Sequence, residues 1–128
     1  MQYEYFYGAQ AEQFSFYRIP KALFTVPNFR ELSTDAKVLY GILLDRMSLS
    51  LKNQWLDAQN KVYIIFTVEE IMDALNCANQ KATRLMVELE KQAGLIERKR
   101  QGLGRPNLIY VKNFAATINS KNCEKGDS

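Results

Sequence analysis

An α+β fold is what this sequence predicts, and three observations carry it. Two short amphipathic helices follow one another across a tight turn between Thr67 and Ala93. A basic, glycine-containing hairpin pattern comes directly after them, from Leu95 to Val111, and a long apolar-faced helix from Ser33 onward stands upstream. That order outlines a winged helix-turn-helix with an additional N-terminal strand, a β-hairpin before the helix-turn-helix and a C-terminal β-hairpin wing.

Residues 1–13 are tyrosine-rich and polar and read as an N-terminal arm. Phe14-Ser15-Phe16-Tyr17-Arg18-Ile19 alternates as a strand does, and Pro20 ends it; Lys21 to Phe24 reads as one helical turn. Ser33 caps a long helix whose face is Ala36, Leu39, Tyr40, Leu43 and Met47, widened by Val38, Ile42 and Leu44, which places it at the centre of the core. Gln54 to Asp57 and Lys61 to Phe66 flank Ala58-Gln59-Asn60 as a hairpin, with Trp55 and Phe66 packing it on that helix. The domain spans 14–115, and 116–128 reads as a polar linker or tail.

Thr67 caps the next helix, Glu70 completes a capping box, and Val68, Ile71, Met72 and Leu75 form its apolar side. Asn76-Cys77-Ala78 is the turn. In the second helix Ala82, Leu85, Met86, Leu89 and Ala93 share one face, and Gly94 stands where a left-handed cap belongs. Its other face begins with Asn79, Gln80, Lys81, Thr83 and Arg84, and Val87 lies on the same side. These residue types suit the major groove: Arg and Lys donate to guanine O6 and N7, Gln pairs with adenine, and Thr offers a hydroxyl or a methyl. A merely solvated polar face is the alternative for each of them singly.

Beyond Gly94, Arg98-Lys99-Arg100 end the first strand of the hairpin, Gly102-Leu103-Gly104-Arg105-Pro106 turn, and Asn107 to Val111 return. Gly102 and Gly104 permit close approach to phosphate, and Pro106 stiffens the exit. Arg105 is the candidate for minor-groove insertion, with Arg98, Lys99 and Arg100 on phosphates or the groove edge. The alternative is a hairpin whose charges keep an exposed edge from aggregating. Charge distribution favours DNA: residues 79–112 carry eight Lys or Arg against three Glu, hence +5, whereas 67–78 carry Glu69, Glu70 and Asp73 and no base, hence −3.

Composition narrows the remaining classes. The chain has 128 residues, enough for one core, and no apolar run as long as a bilayer span. Its aromatic N-terminus lacks the basic start and aliphatic centre of a signal peptide, so a cytoplasmic location is expected. Cys77 and Cys123 have no paired spacing and histidine is absent, which leaves no basis for a disulfide framework, a metal site or a cofactor. No phosphate loop or acid–base pair suggests an enzyme. The aromatics Tyr3, Tyr5, Phe6, Tyr7, Phe14, Phe16 and Tyr17 lack interleaved bases, so core packing or a dimer contact is expected of them rather than single-strand stacking.

Several motifs together are similar to one family. Tyr17-Arg18-Ile19-Pro20-Lys21-Ala22-Leu23-Phe24, Leu32 to Tyr40, Leu43 to Ser50 and Gly94 to Pro106 resemble, in order, the N-terminal domain of the replication initiator protein A family of low-copy plasmids in Gram-positive bacteria, staphylococci especially. The resemblance covers about residues 14 to 114. It implies a winged-helix domain that binds repeated sites in a plasmid replication origin, usually as a homodimer, together with a C-terminal domain that engages host replication proteins. The family's recognition helix and wing fall on Asn79 to Arg84 and Arg98 to Arg105. Alternatives within the same fold are a transcriptional repressor and a protein–protein interaction winged helix.

Overall fold

The computed structural model describes residues 2–8 and 13–115. Within them the Pro20 carbonyl accepts the Leu23 N–H at 3.1 Å and starts a short helix, α1 (Ala22–Thr25). A 3-10 turn, Pro27–Phe29, has proline first, where no N–H is needed, and carries the chain to Ser33. Ser33 Oγ accepts the Ala36 N–H at 3.2 Å and caps α2 (Thr34–Lys52), as its sequence predicts. Ala36, Leu39, Tyr40, Ile42 and Leu43 are buried along α2, which is the spine of the core.

Two further helices follow, α3 (Val68–Leu75) packed on α4 (Asn79–Val87) and α4 on α2, and α4 continues as a π-helical turn over Glu88–Gln92. Ile71, Ala82, Leu85 and Leu89 have no exposed surface, and burial of each large aliphatic side chain is worth roughly 1.5–3 kcal/mol. Strands β1 (Ile96–Lys99) and β2 (Leu108–Val111) form an antiparallel pair with Ile96 opposite Val111 and Lys99 opposite Leu108. Tyr40 ties the hairpin to α2 by donating to Lys112 O at 2.7 Å. Burial pushes its phenol up to about 12, so it stays a neutral donor. The result is a mixed architecture of helices on a small two-stranded antiparallel sheet, and no helix among the described residues is long and apolar enough to cross a membrane.

Two expectations are corrected. The additional N-terminal strand over Phe14–Ile19 is not formed: Phe14, Phe16 and Tyr17 are exposed, and the segment has no partner strand among the described residues. Its end lies instead across α2 at Gly41, where an added Cβ would stand 2.9 Å from Ile19 Cγ1 and 3.0 Å from Arg18 O. The hairpin before α3 shrinks to a single bridge, Leu56 with Val62, because α2 runs to Lys52 and leaves four residues before a turn closed by Asp57 Oδ1, which accepts the N–H groups of Gln59 and Lys61 at 2.8 and 2.9 Å. Its second arm turns to β2 instead, and Ile64 and Ile109 exchange both backbone bonds at 2.9 Å. Trp55 stacks on Tyr63, with ring centroids 6.2 Å apart. The first residue of the arm, residues 9–12, the tail 116–128 and Cys123 lie outside the described residues.

Candidate nucleic-acid interface

The geometry of the interface starts at the cap of α3. Glu70 N–H donates to Thr67 Oγ1 at 3.2 Å and Thr67 N–H to Glu70 Oε1 at 3.0 Å, the reciprocal capping box. Arg46 of α2 binds the other oxygen of Glu70 and lies 5.0 Å from the Phe66 ring centroid, which fixes α3 against the core. At its end Asn76 adopts the left-handed conformation, φ 53 and ψ 52, a region that Asn tolerates better than most residues. Cys77, half-buried, packs against the core in the turn.

α4 then divides cleanly. Ala82, Leu85, Met86 and Leu89 face inward, while Asn79, Gln80, Thr83, Arg84 and Val87 are exposed. Ala78 at its N-cap supplies no side-chain bond. Thr83 Oγ1 is 3.5 Å from Asn79 Oδ1, a marginal contact that leaves both groups available. Lys81 is held differently, with Nζ 2.6 Å from Asp35 in the first turn of α2. Lys91, exposed seven residues after Arg84, extends the cationic edge, and its i+7 spacing is legible in the sequence.

The hairpin distributes its cations over both faces, as strand alternation requires. Arg98 turns inward onto Glu90 of the π-helical turn, with Nη2 2.8 Å and Nε 3.0 Å from Oε1 and its own N–H 3.2 Å from Oε2. Burial pushes the Glu90 carboxyl up, but the hydrogen bonds and charge of Arg98 outweigh that and hold it below the usual range. Lys99 points to the other face and lines a groove of about 870 Å³ with Tyr110, Asp57 and Lys61. There the Lys61 N–H leads the contacts that hold the Asp57 carboxyl low, against some burial, with Gln59 N–H and the Tyr110 hydroxyl assisting.

Between the strands the loop is shaped by Gly102 at φ 117 and Gly104 at φ 78, and Gln101 Nε2 donates to Pro106 O at 2.8 Å. Arg100 is exposed, and Leu103 at the tip is wholly exposed, an apolar side chain that the charge-based reading did not weigh. Arg105 and Arg98 line one cleft of about 290 Å³ beside Thr67, Glu69 and Met86. The loop is therefore seated against the first turn of α3. Among the described residues Arg84, Lys91, Lys99, Arg100 and Arg105 make no ion pair, and no cluster of His, Cys, Asp or Glu could hold a metal ion.

Known proteins resemble this chain in fold and sequence. A solved structure described as "N-Terminal domain of DNA binding protein" is 36% identical, with a TM-score of 0.72, over 99% of this chain and 98% of that one. One described as "Structure of Rep-DNA complex" is 36% identical at a TM-score of 0.72, covering 98% of both chains. One described as "Structure of MDR initiator" is 38% identical at 0.67, over 93% of this chain and 98% of that one. A "41 kDa protein" of Lactobacillus helveticus is 32% identical over 103 residues, which are 80% of this chain and 28% of that protein's length. The family model "Replication initiator protein A (RepA) N-terminus" matches residues 15–124, and the chain belongs to that family.

Proposed function

We propose that this chain is a winged helix-turn-helix that binds double-stranded DNA at repeated sites of a plasmid replication origin and so helps to initiate plasmid replication. The observation that carries this reading is the likeness to the protein of a Rep–DNA complex, in a chain that exposes a polar α4 face and a basic hairpin loop. Gln80, Thr83 and Arg84 stand exposed on the helix, and Arg105 on the adjoining loop, in a chain 36% identical over 98% of its length to the protein of a Rep–DNA complex.

In this reading α4 enters the major groove. Arg84 donates to a guanine edge, Gln80 pairs with adenine, and Thr83 and Val87 meet thymine methyls. Arg105 and Leu103 reach the adjoining minor groove, and Asn79, Lys91, Lys99, Arg100 and the backbone at Gly102 and Gly104 meet phosphates. The concentrated positive charge supplies salt-dependent affinity for any duplex, and base edges supply the preference.

Two copies act together as a homodimer, with their α4 helices in successive grooves. Tyr5, Phe6, Phe14, Phe16 and Tyr17, all more than half exposed, form an aromatic surface suited to the second copy. Host replication proteins meet a region beyond this domain, in the cytoplasm, and no catalytic step is assigned to the domain itself. The test is selection of bound duplexes from a random pool at physiological salt. The expected result is paired half-sites about one helical turn apart, roughly 34 Å; a featureless pool overturns the reading.

A further inference from the structure

The π-helical turn after α4 carries two carboxylates that reach different elements. Glu88 accepts the N–H and the hydroxyl of Ser33, each at 2.9 Å, and so grips the N-cap of α2. Glu90 takes three bonds from Arg98 and so grips β1. Leu89, fully buried between them, anchors the turn, and the Ala93 N–H closes it on Glu88 O at 3.0 Å. The wider turn of a π-helix resets the phase of the side chains that follow it.

We propose that Glu90 is a positioning residue for DNA binding: by holding Arg98 it fixes the angle between α4 and the hairpin, so that Arg105 reaches the duplex in register with Arg84. The inference rests on the DNA-binding reading above. Arg98 then serves as an internal strut and is withdrawn from the phosphate contacts expected of it. Its side chain is 25% exposed and that of Glu90 only 16%, so parting them leaves a poorly hydrated carboxylate without a partner. A pre-set angle matters because two contacts on a rigid duplex are made together only at one separation, and a loose hairpin loses freedom on binding. Neither Arg84 nor Arg105 makes a hydrogen bond or ion pair with Glu90, whose partner is Arg98, so the effect is transmitted through β1.

The test compares wild type with Glu90→Gln on two duplexes, one selected from the random pool and one scrambled, across a salt series. Glutamine keeps the shape but cannot pair with the guanidinium charge. The expected result is opposite movement. Binding to the selected duplex weakens about tenfold as register is lost. Binding to the scrambled duplex strengthens two- to threefold, because the freed Arg98 meets phosphate, and the salt slope steepens by up to about 0.9.

Destabilisation alone lowers both affinities together, and a purely electrostatic role raises both; either outcome overturns the proposal, as does an unchanged selected-site affinity. Arg98→Lys retains the charge without the forked geometry, and it is expected to weaken only the selected duplex with no change in salt slope. If Glu90→Gln does not fold, that second variant decides, and equal losses on both duplexes overturn the proposal. A wild-type protein with no preferred duplex overturns the DNA reading itself, whereas a preference that both variants share overturns only the role of Glu90.

Discussion

The two ends of the helix running from Asn79 to Gln92 are built on opposite terms. The first end has no side-chain cap, exposes Gln80, Thr83 and Arg84, and meets the rest of the fold through buried Ala82 and, among the described residues, one half-exposed ion pair, Lys81 with Asp35. The second end buries Leu89 completely and engages Glu88 with Ser33 and Glu90 with Arg98. One element therefore separates presentation from anchorage along its length. The polar groups held back from internal bonds are the ones a ligand can use, and the cost of leaving them so is met by packing a few residues further on.

The largest expected effect breaks the anchored end. Leu89→Ala removes a fully buried side chain and opens a cavity, which should cost about 2–5 kcal/mol in urea denaturation while the protein that remains folded keeps its preferred duplex. A stability loss below about 1 kcal/mol would mean that this end is not the anchor. The presented end should answer the other way. Arg84→Ala is expected to weaken binding to the selected duplex by about 1–3 kcal/mol and relax the preference at one base pair. Its unfolding free energy should move by less than about 0.5 kcal/mol, since the side chain is exposed and makes no ion pair among the described residues.

Glu90 gives the anchored end a dependence on pH. Its carboxyl pKa is depressed in the folded state, so the stability it contributes is fully present above the unfolded carboxylate value. That contribution is lost as pH falls through the folded value. Glutamine in its place has nothing to protonate. The stability gap between wild type and Glu90→Gln, followed by urea melts from about pH 7 to about pH 3, should therefore narrow toward acid, and a gap that stays constant would remove Glu90 from the acid response.

Much of this contrast is legible before any coordinates. Thr67 with Glu70, Ser33 before its helix, and Gly94 after the last periodic apolar residue are local signals, each satisfied by groups within a few residues, and the structure forms all three. The alternation of Phe14 to Ile19 is equally visible, yet alternation describes side chains and not a partner strand. Here the close approach at Gly41 decides where the segment goes. Pairings across the fold were not legible: Asp35 with Lys81, and Glu90 with Arg98, need the packing of α2, α4 and β1 to bring them together. As a result the charge count credits Lys81 and Arg98 with a freedom that the fold takes from them. The π-helical turn leaves no mark either, because its buried residue, Leu89, also fits an α-helical face.

The smallest effect sharpens the comparison most. Asp35 and Lys81 are each close to half exposed, 49% and 43%, so their ion pair contributes little stability despite its 2.6 Å separation. Asp35 also sits in the first turn of α2, where a carboxylate is favoured by the helix dipole, so Asp35→Asn should lower stability by less than about 1 kcal/mol. On DNA the same change matters differently. A lysine released at the presented end is already on the surface and needs no movement of the hairpin, so affinity for selected and scrambled duplexes should rise together by a similar factor, with the salt slope steeper by up to about 0.9. Release of Arg98 at the anchored end should split the two affinities. If Asp35→Asn also split them, Lys81 would be a positioning residue like Glu90, and the division of the helix into a presented and an anchored end would fail at its first turn.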